Sequence, residues 1–144
     1  MKIKSLRPIL LIILLICCIS FFIVKYSAKK KSFDDLLGTN STNITSVFMR
    51  DGSNGNSVAT NDKGKIKEII SLVNDRYYKK SINQEPRSGY NYFYDFVLEG
   101  KNSIRITGSG SNVDIDGIYY DVSKEISEEG LRNWFNSLQV TKMN

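Results

Sequence analysis

One segment limits what this chain of 144 residues can become: the uncharged run Pro8 to Val24, PILLIILLICCISFFIV. Lys2, Lys4 and Arg7 precede it, and Lys25, Lys29, Lys30 and Lys31 follow. At 1.5 Å of rise per residue, a helix of this run reaches about 26 Å, the short end of what spans a bilayer's hydrocarbon core. The pattern predicts an uncleaved signal-anchor. Residues 8–24 then form a single-pass transmembrane helix in the lipid bilayer, with residues 1–31 as a membrane anchor with basic flanks. Two other fates stay open. Cleavage after Ala28 would put Tyr26 where a small residue is wanted. Lipidation at Cys17 or Cys18 would follow Ile16 or Cys17, and the apolar residues Phe21 to Val24 stand where a polar tether is expected.

Cys17 and Cys18 are the only cysteines. Adjacent helical residues point about 100° apart, so the two read as small apolar fillers rather than a bonded pair. The remainder of the chain has no disulfide framework, which leaves an extracytoplasmic location open. Lysine and arginine are nearly balanced across the run, so the basic-then-apolar start decides orientation: N-terminus inside, domain extracytoplasmic.

Charge divides the chain the same way. The formal net charge of +5 comes from residues 1–31, because residues 32–144 sum to −2. Basic flanks of this kind are drawn to anionic headgroups. The rest carries no basic stripe, which argues against nucleic acid as a partner.

Residues 32–144 are long enough for one modest core and read as a small soluble α+β domain. Ser27 to Ser32 is a short tether, and Phe33 to Leu37 a helical turn. Strands follow at Ile44 to Arg50 and Ser57 to Thr60, joined by the turn-forming cluster Asp51 to Asn56. Asp62 caps a helix from Lys63 to about Tyr78, with Ile66, Ile69, Ile70, Val73 and Tyr77 as its apolar stripe and Lys79-Lys80 at its negative end. The clearest strand is Tyr90 to Glu99. Tyr90, Tyr92, Tyr94, Phe96 and Leu98 share one of its faces, and Phe93 and Val97 sit on the other. Ser103 to Thr107, Val113 to Ile115 and Ile118 to Val122 complete the strands, with Asp116-Gly117 as a hairpin turn. Ser127 caps a last helix whose stripe is Leu131, Trp134, Phe135 and Leu138, and Ile126 staples onto Leu131. The expected fold class is α+β: an N-terminal transmembrane helix followed by a two-layer domain. Its order is β-β-α-β-β-β-β-α, with a mainly antiparallel sheet and both helices on one face. Trp134 is expected to pack on the aromatic face of the Tyr90–Glu99 strand.

Asp51-Gly52, the Asp62 to Val73 helix, Arg87-Ser88-Gly89-Tyr90 and Gly117 to Tyr120 carry a likeness. The chain resembles a family of small membrane-anchored or lipoprotein-like domains of unknown function from low-GC Gram-positive bacteria. The resemblance implies a bacterial cell-envelope location and no catalytic motif.

Chemistry is sparse. There is no histidine, so Ser-His-Asp, Cys-His and His-metal arrangements are impossible. Asn112 to Gly117 imitates the start of an EF-hand loop, but its twelfth position is Ser123 rather than Glu. Strand alternation into an Asp-Gly turn explains the pattern without calcium. Asp114, Asp116 and Asp121 are the one candidate cation site. Gly108 to Ser111 lacks the lysine of a phosphate loop and reads as a turn. Arg87, Tyr90 and Phe93 are the candidate partner-binding residues. Arg87 suits an anionic group, although pairing with Glu85 in solvent explains it as well, and Phe93 lies on the sheet face away from the helices. No cofactor is expected. The expected function is a membrane-tethered, non-catalytic binding or modulating module at the cell envelope, with a membrane or envelope protein as partner. The alternatives are a carboxylate-based or cation-assisted enzyme, and a cytoplasm-facing regulatory domain.

Overall fold

The computed structural model describes residues 6–27, 29–100 and 102–142, and their side chains except those of 6–7, 24–27 and 139–142. Among the described residues the chain is α+β: an eight-stranded, wholly antiparallel sheet with four α-helices. Helix α1 (Leu6–Ser27) comes first, then strand β1 (Lys30–Lys31) and the short helix α2 (Phe33–Leu37). Next are a 3-10 turn (Ser41–Asn43), β2 (Ile44–Asp51), β3 (Ser57–Thr60) and α3 (Lys63–Val73). Strands β4 (Tyr78–Lys80), β5 (Tyr92–Leu98), β6 (Ser103–Thr107), β7 (Gly110–Ile115) and β8 (Ile118–Ile126) lead into α4 (Glu128–Lys142). The sheet runs β1-β4-β8-β7-β6-β5-β2-β3.

The expected transmembrane helix is corrected. Among the described residues, no helix is long and apolar enough to cross a membrane. The uncharged run is bounded by Arg7 and Lys25, and its length of about 26 Å falls below a hydrocarbon core of about 30 Å. The single-pass, signal-anchor and membrane-spanning readings, and the localisation that rested on them, fall with it.

The domain has one core, on one side of the sheet. Alternate residues of β5 (Tyr92, Tyr94, Phe96 and Leu98) are buried, while Phe93, Asp95 and Val97 are half-exposed. The same period buries Val47 and Met49 on β2, Ile104 and Ile106 on β6, and Val113 and Ile115 on β7. The helices close over this face. Phe33 of α2 meets Phe96 edge-on at 5.2 Å, and Phe135 of α4 lies 6.4 Å from Tyr92. Trp134 is 4% exposed but addresses α3: its indole N–H donates to the Lys65 carbonyl at 2.8 Å. It therefore seals the α3–α4 seam, and Phe135 is the residue facing the aromatic strand.

Local chemistry sets the ends of these elements. The Asp62 carboxylate accepts the Lys65 N–H at 2.8 Å, and the Ser127 hydroxyl accepts the Gly130 N–H at 3.0 Å. Asp116 and Gly117 have φ of 49° and 83°, as a tight two-residue hairpin requires.

Beyond the helix that was expected to cross, the count of elements is corrected in two places. The helix from Lys63 stops at Val73 rather than near Tyr78. Asp75 turns the chain with φ of 58°, and the Arg76 guanidinium, 7% exposed, donates to the carbonyls of Lys124 and Glu125 at 2.8 and 2.7 Å. Tyr78 is thereby carried into a strand and fully buried, its hydroxyl on the Val73 carbonyl at 2.5 Å, while Tyr77 is left 55% exposed. The second change lies in the tether, where Lys30 and Lys31 form an edge strand on Tyr78 and Lys79. Eight strands replace the six expected.

Candidate functional site

Among the described residues, no helix covers the second face of the sheet, where Phe93, Asp95 and Val97 are half-exposed. Cross-strand pairing sets Arg50, Phe93, Thr107, Asp114 and Tyr119 in one row across β2, β5, β6, β7 and β8. At one end of the row, the guanidinium carbons of Arg50 and Arg105 stand 6.0 and 5.5 Å from the Phe93 ring centre. Arg105 also grips Asp95 through two hydrogen bonds of 2.6 and 2.8 Å, and this contact raises the arginine's pKa. Phe93 is therefore capped by arginines rather than bare.

At the other end, the loop 81–91 folds over Tyr119. Gln84 clasps the Tyr119 backbone, accepting its N–H at 3.0 Å and donating to its carbonyl at 3.0 Å. The Arg87 N–H donates to the Tyr119 hydroxyl at 2.9 Å, and the Arg87 guanidinium lies 5.5 Å from the Tyr119 ring centre. Tyr90 joins this corner instead of the core strand, which starts at Tyr92. Its ring passes over Gly108, where a Cβ would sit 2.6 Å from it, and Gly108 has φ of 101°. Burial, then the neighbouring Tyr119, pushes the Tyr90 hydroxyl pKa upward. The Tyr90 hydroxyl lies against Tyr119, and the Asn112 side-chain oxygen is buried with no hydrogen-bond partner among the described residues.

The structure brings Arg87 and Tyr90 together on Tyr119 and sets Phe93 on the same face at a distance of three strands. Tyr119 and Gln84 were not singled out from the sequence, because a long-range clasp leaves no local pattern. The doublet Tyr119-Tyr120 was the available signal, since strand alternation must send one of the two rings to the outer face.

The three candidate carboxylates are engaged separately. Asp114 accepts the Gly117 N–H at 2.8 Å, and Asp116 accepts the Arg105 N–H at 2.9 Å. Asp121 accepts from the Ser81 hydroxyl and the Asn112 amide, both at 2.9 Å. Among the described residues, no group of three or more His, Cys, Asp or Glu side chains is placed to hold a metal ion.

Surface depressions lie elsewhere on the molecule. A polar cleft of about 320 Å³ runs between the Asp51 turn and α4, lined by Asn54, Asn91, Glu128 and Arg132 among others. Asp51 at its edge closes its own turn. Burial pushes its pKa up, but the Ser53 hydroxyl and N–H and the Asn54 amide outweigh that and lower it. A more apolar groove of about 450 Å³ has Ile44, Ile66 and Ile70 as its floor and Lys63 and Lys67 on its rim. Compared with protein-family models, with curated proteins and with solved structures, the chain matches none.

Proposed function

We propose that this chain is a non-catalytic binding module held at a lipid surface through α1. The observation that carries the reading is the state of that helix. Every described side chain from Pro8 to Ile23 is exposed, and the large apolar ones stand 51–71% exposed around the whole circumference. A helix apolar on every side needs an apolar surrounding, and an apolar surface of this extent marks an interaction site. The domain's own core is complete without it. The reading concerns contact with lipid, not passage through it.

Two features support binding over catalysis. The three candidate carboxylates, Asp114, Asp116 and Asp121, are tied to separate donors. The outer sheet face offers instead a recognition corner where Arg87 and Tyr90 meet on Tyr119.

Flotation of the full chain with phosphatidylcholine vesicles tests the reading. The native chain should rise with the vesicles, and the Leu11→Glu, Leu15→Glu double variant should stay in the dense fraction with unchanged Trp134 emission. A native chain that stays down, or a double variant that still floats, overturns it.

A further inference from the structure

Sheet pairing assembles a lysine cluster that the sequence keeps in two pieces. Strand β1 lays Lys30 directly opposite Lys79 and Lys31 opposite Tyr78, with Lys80 following on β4, so alternation puts Lys30 and Lys79 on one face of the sheet edge and Lys31 and Lys80 on the other. Lys29, Lys30, Lys31, Lys79 and Lys80 are all exposed. Among the described residues, none of them forms an ion pair, since the four ion pairs present involve other cations.

Like charges directly opposite on an antiparallel pair destabilise it. This pair is also the whole of β1, two residues long. A fold under no other demand would place a carboxylate or a neutral residue there. The nearby acids offset the cluster in part, but among the described residues none is ion-paired to it. Asp35 is held first by the Ser32 backbone and side chain, with Lys29 and Lys31 lowering its pKa only secondarily. Asp121 lies opposite Lys79 on the β8 side, but its carboxylate is engaged by Ser81 and Asn112.

Position gives the cluster its meaning. α1 ends at Ser27 and β1 begins at Lys30, so Lys30 lies within about 10 Å of chain from the helix end, and strand pairing sets Lys79 opposite it. Two residues beyond Lys80, Ile82 projects 98% exposed. Exposed lysines with an apolar side chain beside them, next to an apolar helix, match the charge and polarity profile of an anionic lipid interface.

We infer that Lys30, Lys79 and Lys80, with their neighbours, form a docking surface for anionic lipid headgroups, setting the β1–β4 edge of the sheet against the lipid that α1 contacts. This rests on the function proposed above. The domain is then oriented by its sheet edge and not merely tethered. The edge strand, otherwise open to pairing with another chain, is guarded by its charges.

The test compares full-chain flotation with neutral phosphatidylcholine vesicles and with equimolar phosphatidylcholine and phosphatidylglycerol vesicles, at low and high salt. The native chain should prefer the anionic vesicles, and salt should remove the preference. Lys79→Gln with Lys80→Gln should cost about 25-fold in partition onto anionic vesicles, about fivefold per lysine, and nothing on neutral ones. Lys63→Gln with Lys67→Gln, on α3 beside β2, should leave both unchanged. Equal binding of the native chain to both vesicles, or an unaffected Lys79, Lys80 variant, overturns the docking surface and leaves the α1 reading intact. Failure on both vesicle types overturns the α1 reading itself. A preference for duplex DNA over anionic vesicles that the Lys79, Lys80 variant loses would assign the cluster to another polyanion and overturn the lipid surface.

Discussion

Helix α1 is far richer in apolar residues than α4, yet α4 is the one built into the core. In α4 the apolar residues fall on one stripe, and Leu131, Trp134, Phe135 and Leu138 are all buried. In α1 they surround the axis, and every described side chain is exposed. Hydrophobicity alone does not recruit a helix to a domain. A stripe matches a single sheet face and leaves a polar side for water, whereas an apolar cylinder would leave most of its surface uncovered on any one sheet. The domain accordingly closes over α2, α3 and α4 and leaves α1 to other company.

The contrast breaks most visibly at Phe135. It is 3% exposed and sits on Tyr92, so Phe135→Ala should cost about 3–5 kcal/mol. Urea unfolding followed by Trp134 emission measures this, and the native emission should be blue-shifted, since Trp134 is itself buried. A loss below about 1 kcal/mol, the ordinary effect of a point substitution, would mean that the α4 stripe is not what closes the core.

A smaller effect is expected where α3 gives way to β4. Arg76→Met keeps the length of the side chain but strips the donor from the carbonyls of Lys124 and Glu125. Hydrogen bonds to a charged group contribute about 1.5–3 kcal/mol, and that loss should appear in the same unfolding experiment. A neutral outcome would show that these carbonyls are equally content in water, and that the end of α3 has another cause.

The smallest change belongs to α1. Leu11→Glu with Leu15→Glu should leave the domain's unfolding free energy within about 0.5 kcal/mol of the native chain, as surface substitutions do. A larger loss would mean that α1 packs on the domain after all, and the contrast between the two helices would collapse.

Much of the domain was legible because its signals are local. The period of β5, the Asp62 and Ser127 caps, the Asp116-Gly117 turn and the stripe of α4 each lie within a few residues, where propensity and alternation act. The candidate site was legible only in part. Arg87, Tyr90 and Phe93 stand out as polar or aromatic residues near a strand, but their arrangement depends on Tyr119 and Gln84, which reach them only across the sheet. Tyr90 shows how the reading fails. Alternation assigned it to the core face, yet the strand starts after it, and the absence of a side chain at Gly108 lets its ring cross to Tyr119.

The sequence by itself determined the apolar character of residues 8–24, the concentration of positive charge before residue 32, the α+β makeup and most of the core-facing residues of β5 and α4. These follow from composition and from periods of two and 3.6, which any short segment carries within itself. Only the tertiary structure decided where α3 ends, because Asp75 and Arg76 answer to carbonyls on β8. It alone decided that the tether holds a strand, and that Lys79-Lys80, which read as the end of a helix, lie beside Lys30 and Lys31. Backbone pairing between segments nearly fifty residues apart is set by what the rest of the sheet leaves open at its edge, and no local pattern of side chains encodes that vacancy.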